Sequence, residues 1–81
     1  MNDITNDIII IGCGNSGLQE GESLIKYLKS LTLIEFLPHM TGEKILQERL
    51  HKNEKSRFLL NHMLTSINGN TLVNSITVKN R

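Results

Sequence analysis

Apolar residues open this chain as a block, with Ile8, Ile9, Ile10 and Ile11 running together before Gly12. A β-branched run of that kind predicts a strand buried on both faces, as in a parallel sheet covered by helices. The spacing then changes. Leu18, Leu24, Ile25 and Leu28, with Tyr27 beside them, partly follow helical periodicity and predict a helix over residues 15–29. Residues 31–37 return to a compact apolar run that Pro38 stops, giving a second strand. Thr41 is placed to cap a second helix over residues 42–51, where Ile45, Leu46 and Leu50 make a modest apolar stripe. Residues 58–60 read as a short buried strand. Residues 64–67 and 72–78 flank Asn68-Gly69-Asn70, a hairpin signal because Asn and Gly tolerate positive φ. The predicted order is β-α-β-α-β and then a hairpin. In this α/β reading residues 8–11 lie central in a parallel sheet, flanked by 31–35 and 58–60, with right-handed crossovers.

Composition narrows the picture without redirecting it. Eighty-one residues make one small domain. With a net charge of +1, bulk electrostatics favours neither nucleic acid nor a membrane surface. No window approaches the ~18–20 apolar residues of a membrane span, and residues 1–7 are too polar for a signal peptide. A single cysteine forms no internal disulfide, which points to a reducing, cytoplasmic setting. Lys44, Arg49, Lys52, Lys55 and Arg57 are interleaved with Glu43, Glu48 and Glu54, which describes a solvated face. His39, His51 and His62 lack zinc-ligand spacing, so no metal site is expected. The chain has no alanine, which deprives its helices of their best former.

Chemistry concentrates at the end of the isoleucine block. Gly12-Cys13-Gly14-Asn15-Ser16-Gly17 follows a strand, opens a helix, and is answered 18 residues later by Glu35 at the end of the second strand. That is the context in which a G-x-G-x-x-G turn binds a dinucleotide. Gly12 permits the tight turn, Gly14 lets backbone N–H groups approach a pyrophosphate, and Gly17 lets helix and strand sit close. The helix N-terminus offers free donors and a partial positive charge, with Asn15 or Ser16 available as its cap. Glu35 can accept hydrogen bonds from ribose hydroxyls and repels a 2′-phosphate, and Phe36, Leu37 and Pro38 after it supply no cation. NAD(H) is therefore favoured over NADP(H). The alternatives are a glycine turn that binds nothing and a solvated carboxylate at a strand end. Cys13 can feel the helix N-terminus and become more acidic, although structural filler is the better reading. His39, just beyond the second strand, is within reach of the same ligand.

These residues resemble the pyridine-nucleotide-binding insert of the thioredoxin reductase and alkyl hydroperoxide reductase flavoprotein family. The stretches that carry the resemblance are I-I-G-C-G-N-S-G-L, T-L-I-E-F-L-P, K-I-L-Q-E-R-L, F-L-L-N and I-N-G-N. The resemblance implies a Rossmann-like fold and a site made of Gly12, Cys13, Gly14, Asn15, Ser16, Gly17, Glu35 and Phe36. It also implies a complete enzyme in which NAD(P)H reduces FAD and FAD reduces a cysteine pair. Here no cysteine precedes Ile8, and neither the flavin domain nor the final strand of the parallel sheet is expected within residues 1–81. Gly21 and Glu22 stand where relatives carry Ala and an aliphatic residue. An incomplete domain, inactive alone, is the expectation, with a flavin-domain chain as a candidate partner and oligomerisation plausible at an open sheet edge. The alternatives are a non-catalytic remnant and a small nucleotide-sensing binding protein.

Overall fold

The computed structural model describes residues 7–71 and 73–81. Strand β1 (Asp7–Ile11) leads into helix α1 (Asn15–Leu24), which tightens into one 3-10 turn over Ile25–Tyr27. Strand β2 (Ser30–Glu35), helix α2 (Lys44–His51) and strand β3 (Ser56–Leu60) follow. Strands β4 (His62–Asn68) and β5 (Ser75–Asn80) form a separate antiparallel hairpin. The α/β class, the parallel sheet and the hairpin are all as the sequence predicts.

The strand order is not. The parallel sheet runs β1-β2-β3, so β2 is central and β1 lies at one edge of these three strands. Both crossovers step the chain the same way across the sheet, which leaves the second strand in the middle. Leu31, Leu33 and Ile34 of β2 are sealed, whereas Ile9 and Ile11 of β1 are 41% and 55% exposed. The isoleucine block is therefore not buried on both faces. It reports β-propensity, while coverage depends on what packs against each face.

Residues paired across a parallel ladder share a face, and this fixes where the carboxylate goes. Ile8 pairs with Leu31, Ile10 with Leu33, and Leu33 with Phe58. All five pack into one core with Cys13, Leu18, Ile25, Leu28, Leu46 and Leu50 beneath the helices. Each buried leucine of that set contributes about 1.5–3 kcal/mol. Glu35 lies two residues beyond Leu33, so the strand period places it on the same, helix-covered face. Ile9 and Ile11 face the other way, where with Leu64, Ile67, Val73 and Ile76 they line a cleft of about 310 Å³.

Several boundaries differ from the sequence reading. Helix α1 is shorter, and Leu24 and Tyr27 are exposed. Thr41 does not cap α2, whose N-cap is Glu43 without a side-chain bond. The Thr41 backbone N–H instead donates to the carbonyl of Cys13 at 3.2 Å. Gly21 lets α1 lie close to the sheet, since a Cβ there would stand 3.0 Å from Leu31 Cδ2. Glu22 turns away from the sheet and pairs with Arg49 of α2 at 3.4 Å. The hairpin turn is wider than Asn68-Gly69-Asn70 implies: Asn74 N–H closes on the Asn68 carbonyl at 2.8 Å, and β5 begins only at Ser75. Leu72, the expected start of that strand, lies outside the described residues.

Candidate functional site

The glycine turn is a built feature of the fold. Gly12 has φ +104°, open to glycine and strained for other residues, and its N–H donates to the Ile34 carbonyl at 2.7 Å. A Cβ on Gly17 would sit 2.1 Å from the Gly12 carbonyl oxygen, so the helix can start here only with glycine at both positions. Gly14 is different. Its backbone (φ −81°, ψ −175°) suits any residue, and a Cβ would meet only Thr41 Oγ1, at 3.5 Å. Nothing in the packing of the described residues asks for glycine at position 14.

Gly14 is the N-cap of α1, and no side chain caps the helix. The proposed caps are thus corrected. Asn15 lies inside the first turn, and its Oδ1 accepts the Glu43 N–H at 2.6 Å, which ties the starts of the two helices together. Ser16 is exposed, and its hydroxyl enters no hydrogen bond among the described residues. The first turn carries no acidic residue, so its N–H groups and the dipole's positive end face no opposing charge within the helix.

Glu35 joins this turn directly. It is only 8% exposed. Its Oε1 accepts the Cys13 N–H at 2.8 Å, and its Oε2 accepts the Leu37 N–H at 3.1 Å. The reading of Glu35 as a solvated strand-end carboxylate is therefore overturned. An ionised carboxylate has about four acceptor sites, so two remain after these bonds.

Cys13 is fully buried beneath the same carboxylate. Burial first, and the nearby charge of Glu35 second, push its thiol up from 9.0 to about 11. This agrees with the reading of Cys13 as structural filler and not with its alternative as an acidified thiol, because desolvation disfavours the thiolate.

Phe36 leaves the strand half exposed. The guanidinium of Arg81 lies 3.6 Å above its ring, and Arg81 Nη1 donates to the Phe36 carbonyl at 2.6 Å. Two backbone bonds hold this arrangement: Asn61 N–H to the Leu37 carbonyl at 2.8 Å, and Arg81 N–H to the Asn61 carbonyl at 2.7 Å. Asn61 turns the corner from β3 to β4 with φ 60°, a conformation that Asn tolerates. The sequence argument that no cation stands near the end of β2 fails here, since one arrives from 45 residues away. Among the described residues no three His, Cys, Asp or Glu side chains gather as metal ligands. No helix among them is long and apolar enough to cross a membrane.

Residues 7–81 match the pyridine nucleotide-disulphide oxidoreductase family. The chain belongs to that family. As a pyridine nucleotide-disulphide oxidoreductase domain it is similar to the thioredoxin reductase of Mycolicibacterium smegmatis, with 34% identity over 73 residues, or 90% of this chain and 24% of the relative. It is 32% identical over 74 residues to the bifunctional thioredoxin reductase/thioredoxin of Mycobacterium leprae, covering 91% of this chain and 16% of that protein. Among solved structures, the thioredoxin reductase of Streptococcus pyogenes superposes with a TM-score of 0.86 at 28% identity, over 91% of this chain and 24% of that one. That of T. acidophilum gives 0.87 at 29% identity, over 93% and 25%. The chain thus spans about a quarter or less of the length of the relatives it matches.

For this thioredoxin-reductase-like domain, sequence reasoning missed Gly42. A Cβ there would lie 2.5 Å from Leu18 Cδ1 and 3.0 Å from the Gly14 carbonyl carbon, and its N–H donates to the Cys13 carbonyl at 3.0 Å. It is the floor against which the glycine turn rests. A lone glycine after Thr41 gave no local signal of that contact.

Proposed function

We propose that this chain is the nicotinamide-dinucleotide-binding module of a thioredoxin-reductase-like, FAD-dependent disulfide oxidoreductase, with NADH favoured over NADPH. The observation that carries the reading is the Cys13 N–H to Glu35 Oε1 bond. It makes the glycine turn and the carboxylate one site, at the carboxyl ends of parallel strands where dinucleotides bind in open α/β sheets. Gly14 supports it from another direction. Neither its backbone nor its neighbours require glycine, while a pyrophosphate approaching the N–H groups of the turn would. The uncapped α1 terminus suits the same anion.

In this reading Gly12, Cys13, Gly14, Asn15, Ser16 and Gly17 form the turn against which the pyrophosphate lies, the N–H groups of Gly12 and Cys13 being bonded within the fold and shaping it. Glu35 receives the adenosine ribose hydroxyls on its two remaining acceptor sites, and Phe36 borders the adenosine. When bound, the nicotinamide supplies a hydride to a flavin that other parts of the enzyme would hold. This chain contributes grip and orientation. The full enzyme would pass electrons on to a disulfide, and the chain alone would not oxidise NADH with a disulfide acceptor.

A second reading has one observation in its favour. Both Glu35 oxygens already accept backbone N–H groups, as they would in a non-catalytic remnant whose carboxylate only braces the turn. Equilibrium titration of the purified chain with NADH, followed by nicotinamide fluorescence, separates the two. Saturable binding that Gly14→Val weakens by tenfold or more supports the module. Absence of binding at millimolar NADH favours the remnant.

A further inference from the structure

We infer that Arg81 is the cation of this site that meets a 2′-phosphate, an assignment that rests on the dinucleotide reading above. The guanidinium stacks 3.6 Å over Phe36, the residue that directly follows Glu35, and one of its nitrogens donates to the Phe36 carbonyl at 2.6 Å. Stacking and that one bond fix the plane of a fork with five N–H donors. The remaining donors have no protein partner among the described residues. Phosphate is the ligand chemistry such a fork matches bidentately. Phe36 is exposed, so the cation sits at the open side of the turn.

The placement is imposed by the fold. The Arg81 and Asn61 backbone bonds pin the end of β5 against the turn after β2, and this brings a positive charge to a strand end whose next three residues supply none. Two opposite charges therefore neighbour Phe36, Glu35 directly before it in the chain and Arg81 over its ring. Glu35 is buried and pairs with backbone donors; Arg81 is exposed. The preference for NADH is then the outcome of a contest. Glu35 repels a third phosphate, and Arg81 partly offsets that repulsion, which leaves measurable NADPH binding.

The test is titration of the parent chain, Arg81→Gln and Arg81→Lys with NADH and with NADPH, at low and at high salt. For a surface charge facing a phosphate at about 4 Å, the NADPH-to-NADH affinity ratio should fall about fivefold in Arg81→Gln. Arg81→Lys should restore part of it. The difference should shrink at high salt, as screening requires. A purely structural clamp predicts another pattern, in which Arg81→Gln lowers the melting temperature and weakens both cofactors equally. A parent chain that binds, with its ratio unmoved in Arg81→Gln, overturns the role of Arg81 alone. A parent chain that binds neither cofactor at millimolar concentration overturns the dinucleotide reading and this assignment together.

Discussion

The backbone N–H of Cys13 donates to the carboxylate of Glu35 at 2.8 Å, across 22 residues of sequence and between two neighbouring strand ends. One side chain thereby fixes the glycine turn against β2 and, in the function proposed above, also receives the ribose. In that proposal stability and recognition pass through the same two oxygens, so they have to be tested with different substitutions.

Glu35→Ala tests the bracing role. It leaves the N–H groups of Cys13 and Leu37 without their acceptor, one of them buried. Orphaned donors cost about 1–3 kcal/mol each, so a loss on the order of 2–4 kcal/mol in urea-unfolding free energy is expected. A chain of this size holds roughly 4–12 kcal/mol in total, so the variant should be visibly less stable. A loss below half a kilocalorie would mean that water replaces the carboxylate without penalty.

Glu35→Arg tests recognition. It removes the acceptor proposed for the ribose hydroxyls and adds a second guanidinium at the end of β2. Among variant molecules that remain folded, NADH binding should weaken by tenfold or more, about 1.4 kcal/mol, while NADPH binding improves. Because bracing is lost too, the comparison has to use the ratio of the two affinities measured on one folded preparation. A ratio equal to that of the parent chain would make Glu35 a structural residue only.

How much of this was legible beforehand depends on how local each cause is. Gly12, Gly17 and Glu35 were readable because a tight turn, a close helix and a strand-end charge each leave a mark within a few residues. The position of β1 at the sheet edge was not, since four isoleucines look the same beside one neighbour or two. Gly42 under the glycine turn, the Asn15 bond to Glu43 and Arg81 over Phe36 are all long-range meetings that only the tertiary fold creates. The thiol of Cys13 divides the same way: its reading as structural filler agrees with its burial, and only the size of that burial is a tertiary fact. The helix end is visible in sequence, whereas the burial that outweighs it comes from packing.

That burial gives a pH dependence with a definite sign. The Cys13 thiol titrates at about 11 in the fold against 9.0 ordinarily. Between those values the folded state keeps a proton that the unfolded chain has released, so stability falls as pH rises. The contribution is fully present below pH 9 and is lost by about pH 11, and two pKa units correspond to roughly 2–3 kcal/mol. Unfolding free energies of the parent chain and Cys13→Ala, measured from pH 8 to 11, should converge or cross by about that amount. Lysine and tyrosine titrations cancel in the difference. Parallel curves would show that the thiol is free to ionise in the fold.

The glycines at 14 and 17 separate what the fold needs from what a ligand needs. Gly17→Ala drives a Cβ to 2.1 Å from the Gly12 carbonyl oxygen, which the backbone can relieve only by opening the turn. It should destabilise the chain by several kcal/mol, the scale of a forced backbone rearrangement, and any cofactor binding should disappear with the fold. Gly14→Ala meets ordinary contact at 3.5 Å in a backbone conformation open to alanine. Its stability should stay within about 1 kcal/mol of the parent, the small loss reflecting alanine's poor performance as an N-cap. NADH and NADPH should nevertheless both bind more weakly and by the same factor, because a Cβ at the pyrophosphate does not touch the 2′ position. Thermal melts and parallel titrations of the two variants decide it. Equal destabilisation by both substitutions, or unchanged binding in a stable Gly14→Ala, would mean that position 14 faces no phosphate.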